Sequence, residues 1–285
     1  MIKFGPSGAP IRFYEEGFKH TEQMPEWVKN NGLDCFEYSF GRGINLSSDK
    51  AEKIRLAFQK SDIEISVHAP YYINLGTPEE QKAENSYNYI LNSAVTGKAM
   101  GAKRVVFHPA AQGKEDRRVV VSRTIDRLKN LKVLIEELSL TDVMFCPETM
   151  GKLAQIGTVE EITEFCTLAE YYYPCVDFGH VNAREQGSLK TEEDYLSRLN
   201  YMINILGFEK VKNMHVHFSK IEYSSKGEVK HLTFADDVFG PEPLPFVRAI
   251  EKLKLEPYIV CESDGTQADD ALTIKKLYYD RHNNT

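Results

Sequence analysis

Six short apolar runs in this chain each end in a side chain able to ligate a metal. They are Ile63-Glu64-Ile65-Ser66-Val67-His68, Arg104-Val105-Val106-Phe107-His108 and Val143-Met144-Phe145-Cys146-Pro147-Glu148. Pro174-Cys175-Val176-Asp177, Asn213-Met214-His215-Val216-His217 and Tyr258-Ile259-Val260-Cys261-Glu262 complete the set. A histidine or carboxylate at the C-terminal end of a buried strand lies where α/β barrels assemble their sites. One such residue carries little weight, since a lone strand-end histidine is more often hydrogen-bonded structure than a ligand. Several buried ionisable groups at strand ends are costly unless paired, and a metal cluster satisfies them jointly. Histidine mixed with carboxylate is donor chemistry for zinc, manganese or iron. A bridging carboxylate would hold two ions about 3.5–4 Å apart, where they lower the pKa of a water, neutralise a phosphate and stabilise the leaving oxygen.

The elements that must position these residues alternate from end to end. Strands are expected near Ile2–Phe4, Leu33–Tyr38, Ile63–His68, Arg104–His108, Asp142–Glu148, Cys175–Asp177, Asn213–Phe218 and Pro257–Glu262. Most are continuous apolar runs, the pattern of strands buried on both faces of a parallel sheet. Helices are expected near Glu22–Asn30, Asp49–Lys60, Pro78–Met100, Val119–Leu138, Val159–Glu170, Glu192–Leu206, Pro243–Lys254 and Ala268–Tyr279. Thr77-Pro78-Glu79-Glu80 and Thr158-Val159-Glu160-Glu161 read as helix starts with capping boxes. Strict alternation argues for one closed (β/α)8 TIM barrel over residues 1–285, with 281–285 as a disordered tail. An open doubly wound sheet is the alternative, but no Gly-x-Gly-x-x-Gly follows the first strand. The stretch from Ser219 to Pro241 is expected to be a long loop, and such loops usually carry function.

The bulk numbers exclude some partners. A net charge of -7 leaves no large basic nucleic-acid face, although a local basic strip near the site is compatible with it. The five cysteines lack any Cys-x-x-Cys spacing and read as small buried hydrophobes in a reducing compartment. Neither a signal peptide nor a membrane-spanning run is evident, so a cytoplasmic protein, acting as a monomer, is expected.

His68-Ala69-Pro70-Tyr71-Tyr72-Ile73-Asn74-Leu75, Phe107-His108-Pro109, Pro147-Glu148-Thr149, Asp177-Phe178-Gly179-His180 and the strand bearing His215 together resemble the endonuclease IV family. These are metal-dependent apurinic/apyrimidinic endonucleases on xylose-isomerase-like barrels, and the resemblance runs over nearly the whole chain. It implies a site for two or three zinc ions, with manganese or iron as substitutes. His68 and His108 would bind the first, and Glu148 would bridge to the second. Asp177, His215 and Glu262 would complete the second, while His180 and His231 would belong to a third. Tyr71 matches a family aromatic that meets the DNA near the lesion.

The chain departs from that pattern on one side of the mouth. Val229 stands where the family has an aspartate two residues before its last histidine, so the third ion loses a carboxylate. Glu228, Asp236, Asp237 or His217 are the available substitutes, and Val229→Asp would fill a vacant position. The segment His231-Leu232-Thr233-Phe234-Ala235-Asp236-Asp237 lacks the family's glycine-rich loop, and Val216-His217-Phe218-Ser219-Lys220 replaces its Asn-Asp pair.

Arg42, in the loop Tyr38-Ser39-Phe40-Gly41-Arg42-Gly43, and Arg184 are candidate phosphate contacts. Arg117, Arg118, Lys220 and Lys226 are expected to be solvated. The leading reading is a phosphodiesterase that cuts damaged double-stranded DNA 5′ to abasic sites and leaves a 3′-hydroxyl, with Glu148 and Glu262 catalytic. A metal-dependent sugar isomerase or epimerase is the alternative, with the same two glutamates as a proton-transfer pair. A barrel that binds metal without catalysis, as an adaptor or damage sensor, is a third.

Overall fold

The computed structural model describes residues 1–282. Eight parallel strands run in chain order: β1 (Lys3–Pro6), β2 (Cys35–Ser39), β3 (Glu64–His68), β4 (Arg104–Phe107), β5 (Met144–Pro147), β6 (Cys175–Asp177), β7 (His215–Phe218) and β8 (Tyr258–Cys261). Two four-stranded arcs, β2-β3-β4-β5 and β1-β8-β7-β6, form the wall. Parallel bridges Ser7–Glu37 and Glu148–Cys175 join the arcs and close the barrel. At the first seam the backbones approach so closely that a Cβ on Gly5 would lie 1.8 Å from the Cys35 carbonyl oxygen, so only glycine fits.

The outer layer is α1 (Met24–Asn30), α2 (Ser48–Ser61), α3 (Glu80–Ala99), α4 (Arg117–Glu137), α5 (Val159–Cys166), α6 (Glu192–Leu206), α7 (Pro243–Lys252) and α8 (Gln267–His282). Their apolar stripes bury Ile54, Ile90, Leu128, Phe165, Leu199, Phe246 and Ile274 against the outside of the strands. Inside the barrel, Val106, Cys146 and Cys175 form one small apolar cluster and Cys35, Tyr258 and Val260 another. A filled interior leaves open space only at the ends. All five cysteines are buried and free. No described helix is long and apolar enough to cross a membrane.

The expected helix start at Thr158 is present: its side chain accepts from the Glu161 N–H, and the Glu161 carboxylate accepts from the Thr158 N–H. The one at Thr77 is not. There the helix begins at Glu80, and Thr77 instead accepts from the Glu79 N–H in the preceding turn. Of the expected tail, Arg281 and His282 continue the backbone of α8, and 283–285 lie outside the described residues. The stretch expected to be a loop after Ser219 folds as an antiparallel hairpin, Lys220–Ser224 with Gly227–Leu232.

Candidate metal centre

The strand ends carry their polar side chains into one cavity of about 580 Å³ at the C-terminal mouth. His68 is the last residue of β3, and its Nδ1 meets the Ala69 carbonyl at 2.8 Å, which leaves Nε2 aimed at the mouth. His108 follows β4 and Glu148 follows β5. Glu148 lies at the centre. Its Oε2 is 3.2 Å from both His68 Nε2 and His108 Nε2. Its Oε1 is 3.1 Å from His217 Nδ1 and 3.3 Å from His180 Nδ1. One carboxylate thus faces two pairs of histidines, one pair per oxygen.

Asp177 ends β6 and caps the short helix Phe178–Arg184, accepting from the His180 N–H at 2.8 Å through Oδ1. That cap sets where His180 points, and Asp177 Oδ2 remains buried without a hydrogen-bond partner. Glu262 follows β8, with Oε2 3.5 Å from His217 Nδ1. His231 hangs from the hairpin, its Nδ1 2.8 Å from Ser219 Oγ and its Nε2 3.9 Å from Glu262 Oε2.

The donor set fits bound metal ions. Ligand atoms lie within 4.8 Å of one another in each of three mouth groups: His68, His108 and Glu148; Glu148, Asp177, His217 and Glu262; Asp177, His180 and His231. Asp177 Oδ2, buried without a hydrogen bond, is an oxygen that a cation would satisfy.

Three expectations are corrected. His215 does not reach the mouth. It pairs in register with Cys175 and Tyr258 and is fully buried deeper in the barrel, whereas His217 is level with Asp177 and meets Glu148 and Glu262. Both point inward because strand side chains alternate, and two residues separate them by about 6.6 Å along the strand. Arg184 is no phosphate contact, because its guanidinium donates to the carbonyls of Met150, Lys152, Leu153 and Gln155. Arg117 joins that clamp through Leu153, Gln155 and Glu161, and Lys220 is buried against Glu242 and the Asp236 carbonyl, so neither is solvated. Arg42 is exposed and free of partners among the described residues. Tyr71 is 57% exposed at the rim, its ring 5.7 Å from those of His68 and His108.

Beside Val229, a neighbouring carboxylate reaches the mouth. Lys230 pairs with Glu222 and Glu228 with Tyr223, so Val229 is the extra residue of a β-bulge and is 49% exposed. The bulge turns Glu228 inward, where its Oε2 lies 3.4 Å from His180 Nε2. Gly151 makes room for it: a Cβ there would meet Glu228 Cβ at 2.6 Å and His180 Cδ2 at 2.9 Å. The expected result is that Glu228→Gln lowers metal stoichiometry while Val229→Asp leaves it unchanged, as read by metal analysis after dialysis. A gain with Val229→Asp would show that Glu228 does not fill the position.

Sequence reasoning also missed Glu37, a fully buried carboxylate of β2 that faces His215 and His217 from below. Its signal was available: a glutamate inside the apolar run Cys35-Phe36-Glu37-Tyr38.

The charges are mutually dependent. Burial would raise the Glu37, Glu148 and Glu262 carboxyls, but His217 above all holds Glu37 and Glu148 well below their usual 4.5 and Glu262 at about 2. Burial would lower His180 and His217, yet Asp177 above all for His180, and Cys175 followed by Glu262, Glu37 and Glu148 for His217, hold both well above 6.5. Near neutrality the metal-free site therefore keeps protons that a metal must displace. Metal uptake is expected to release protons in a weakly buffered titration, with affinity falling as pH falls; uptake without release would contradict these charge states. His180 and His217, with His68 raised beside them, contribute to stability below about 6.5, and that part is lost as pH rises through their raised values. The carboxylates contribute above 4.5, a part lost on acidification, for Glu262 through about 2.

The xylose isomerase-like TIM-barrel family matches residues 25–277. An uncharacterized protein of Methanocaldococcus jannaschii is 33% identical over 275 residues, covering 96% of each chain. A probable endonuclease 4 of Bacillus subtilis is 28% identical over 244 residues, covering 80% of this chain and 78% of its own. Among solved structures, a D-tagatose 3-epimerase-like protein superposes with a TM-score of 0.70 at 17% identity, covering 99% of both chains, which speaks for the fold alone. With a closed parallel barrel and a histidine-carboxylate mouth at its C-terminal face, this chain belongs to the xylose isomerase-like TIM-barrel family.

Proposed function

We propose that the chain is a zinc-dependent phosphodiesterase that cuts duplex DNA 5′ to abasic sites and leaves a 3′-hydroxyl, in base-excision repair. The observation that carries this reading is Glu148, whose two oxygens each face a separate pair of histidines. Such a carboxylate suits adjacent ions better than a single one. His68 and His108 would hold the first with Glu148. Glu148, Asp177, His217 and Glu262 would hold the second. His180 and His231, with Asp177 and Glu228, would hold a third. When bound, the ions activate water and stabilise charge on the phosphate.

The chain's own groups do the rest. Glu262, kept ionised, can accept a hydrogen bond from an incoming water at the mouth. Glu148 fixes the spacing of the two histidine pairs. Tyr71 offers an exposed ring beside the His68–His108 pair, where it would meet the nucleotide around the lesion. Arg42, exposed on the β2–α2 loop, is free to contact the phosphate backbone. The similarity to a sequence described as a probable endonuclease 4 supports an endonuclease activity. The enzyme would work as a cytoplasmic monomer on damaged double-stranded DNA.

A second reading has its own observation. Glu148, Asp177, His217 and Glu262 make an oxygen-rich group with two glutamates on opposed strands, the arrangement of a sugar isomerase or epimerase. It leaves His68, His108, His180 and His231 without a task. The test is incision of a duplex bearing one abasic analogue, with and without chelator, beside epimerisation of a ketose by the same preparation. Chelator-sensitive cleavage leaving a 3′-hydroxyl is expected. Interconversion of the ketose without cleavage would transfer the site to the second reading.

A further inference from the structure

Beneath the mouth, Glu37 and His215 form a second polar layer that does not line the cavity. Glu37 and His215 are both fully buried there. Glu37 Oε1 lies 2.9 Å from His217 Nε2, and its Oε2 lies 3.0 Å from His215 Nε2. Ser66 donates to Oε2 at 3.0 Å, and the Ser7 hydroxyl lies 3.0 Å from Oε1. Ser7 Oγ is also 3.2 Å from Glu262 Oε1. The layer therefore touches two groups of the second ion position: His217 directly and Glu262 through one hydroxyl.

The His217 ring is thus held from both ends. Its Nδ1 faces Glu148 and Glu262 in the mouth, and its Nε2 faces Glu37 in the interior. The Glu37 contacts are short but bent, since neither ring nitrogen facing it completes an aligned hydrogen bond. Among the described residues no lysine or arginine contacts this carboxylate, whose partners are the two imidazoles and two hydroxyls. A buried anion with only such partners is expensive to maintain. A metal-binding histidine gains by it, because a carboxylate behind the ring fixes the ring's orientation and raises its basicity as a ligand.

We propose that Glu37 is the positioning residue of the second ion position, setting the His217 ring with Nδ1 toward Glu148 and Glu262. The proposal rests on the reading of the mouth as a metal site. Glu37 touches no substrate and acts through His217, and through Ser7 on Glu262. His215 stacks on Tyr258, with ring centroids 5.1 Å apart, and shares the same carboxylate from below. It thereby holds the second Glu37 oxygen away from the mouth.

Cobalt titration separates this inference from the metal reading. Wild type, Glu37→Gln and Glu37→Leu are titrated with Co2+ against a competing chelator, and the visible ligand-field spectrum is recorded. In parallel, 15N NMR of the zinc-loaded proteins reports which nitrogen of His217 carries the proton. Wild type is expected to take up several ions, with His217 protonated on Nε2. Glu37→Leu is expected to weaken one ion by about 10–100-fold and change its spectrum, leaving the others at wild-type affinity. Glu37→Gln, which keeps the volume and one oxygen, should fall between them. Should the leucine variant fail to fold, the glutamine variant decides alone.

Wild-type affinity, spectrum and tautomer in a folded Glu37 variant would overturn the inference while leaving the metal reading intact. No cobalt uptake by wild type would overturn the metal reading itself, and the inference with it. A thiolate-to-cobalt absorption band in wild type, lost in Cys175→Ser, would also overturn the inference. Cys175 lies within ligand distance of His215 and His217, so that band would mean this layer binds an ion of its own.

Discussion

Under the proposed phosphodiesterase activity, Glu148→Gln is expected to reduce incision on the order of 10³-fold or more while the barrel still folds. Four imidazole nitrogens lie within 3.3 Å of this one carboxylate. The amide keeps one oxygen but presents an NH2 to one histidine pair. It also removes the anion that offsets charge around His180 and His217. Both the first and second ion positions should weaken together, so metal analysis should show a loss of more than one ion. The check is single-turnover cleavage with saturating zinc beside metal content after dialysis. Loss of a single ion with near-normal cleavage would mean that Glu148 does not bridge.

The second large effect separates two histidines only two residues apart. His217→Ala is expected to cost about 10²–10³-fold in activity and one ion, because it removes a nitrogen aimed at Glu148 and Glu262. His215→Asn should stay within about tenfold of wild type and retain its metal, with a lower melting temperature. His215 titrates near 4, since burial disfavours its charge, so at neutral pH its loss removes packing rather than a cation. Activity and metal content for both variants, with thermal melts, make the comparison. Loss of metal with His215→Asn and retention with His217→Ala would reverse the register described above.

The barrel was legible because its strands are short, continuous apolar runs separated by amphipathic segments, and because helix starts such as Thr158–Glu161 announce themselves. Most of the mouth was legible for the same reason: His68, His108, Glu148, Asp177 and Glu262 each end a run. Their convergence is a property of the closed barrel. The choice between His215 and His217 was not legible. Both have the same parity in the run His215-Val216-His217-Phe218, and only the neighbouring strand, through His217 opposite Asp177, shows which is level with the mouth. Glu228 was one of four substitutes in the sequence, and its selection needs a bulge that no local propensity specifies. Arg184 was misplaced because its partners are carbonyl oxygens of a loop some thirty residues earlier. Backbone acceptors leave no trace in side-chain pattern.

The clamp formed by Arg117 and Arg184 bears on how anything leaves the site. A mouth that closes over its substrate needs a segment free to swing, and opening of such a lid often limits turnover. Here residues 150–155 are fastened by two guanidinium groups, and to the hairpin by the Glu228 N–H on the Gly151 carbonyl and the Leu153 N–H on the Lys226 carbonyl. That side of the mouth is a fixed bank. Any closure over a bound substrate would therefore have to come from another part of the rim.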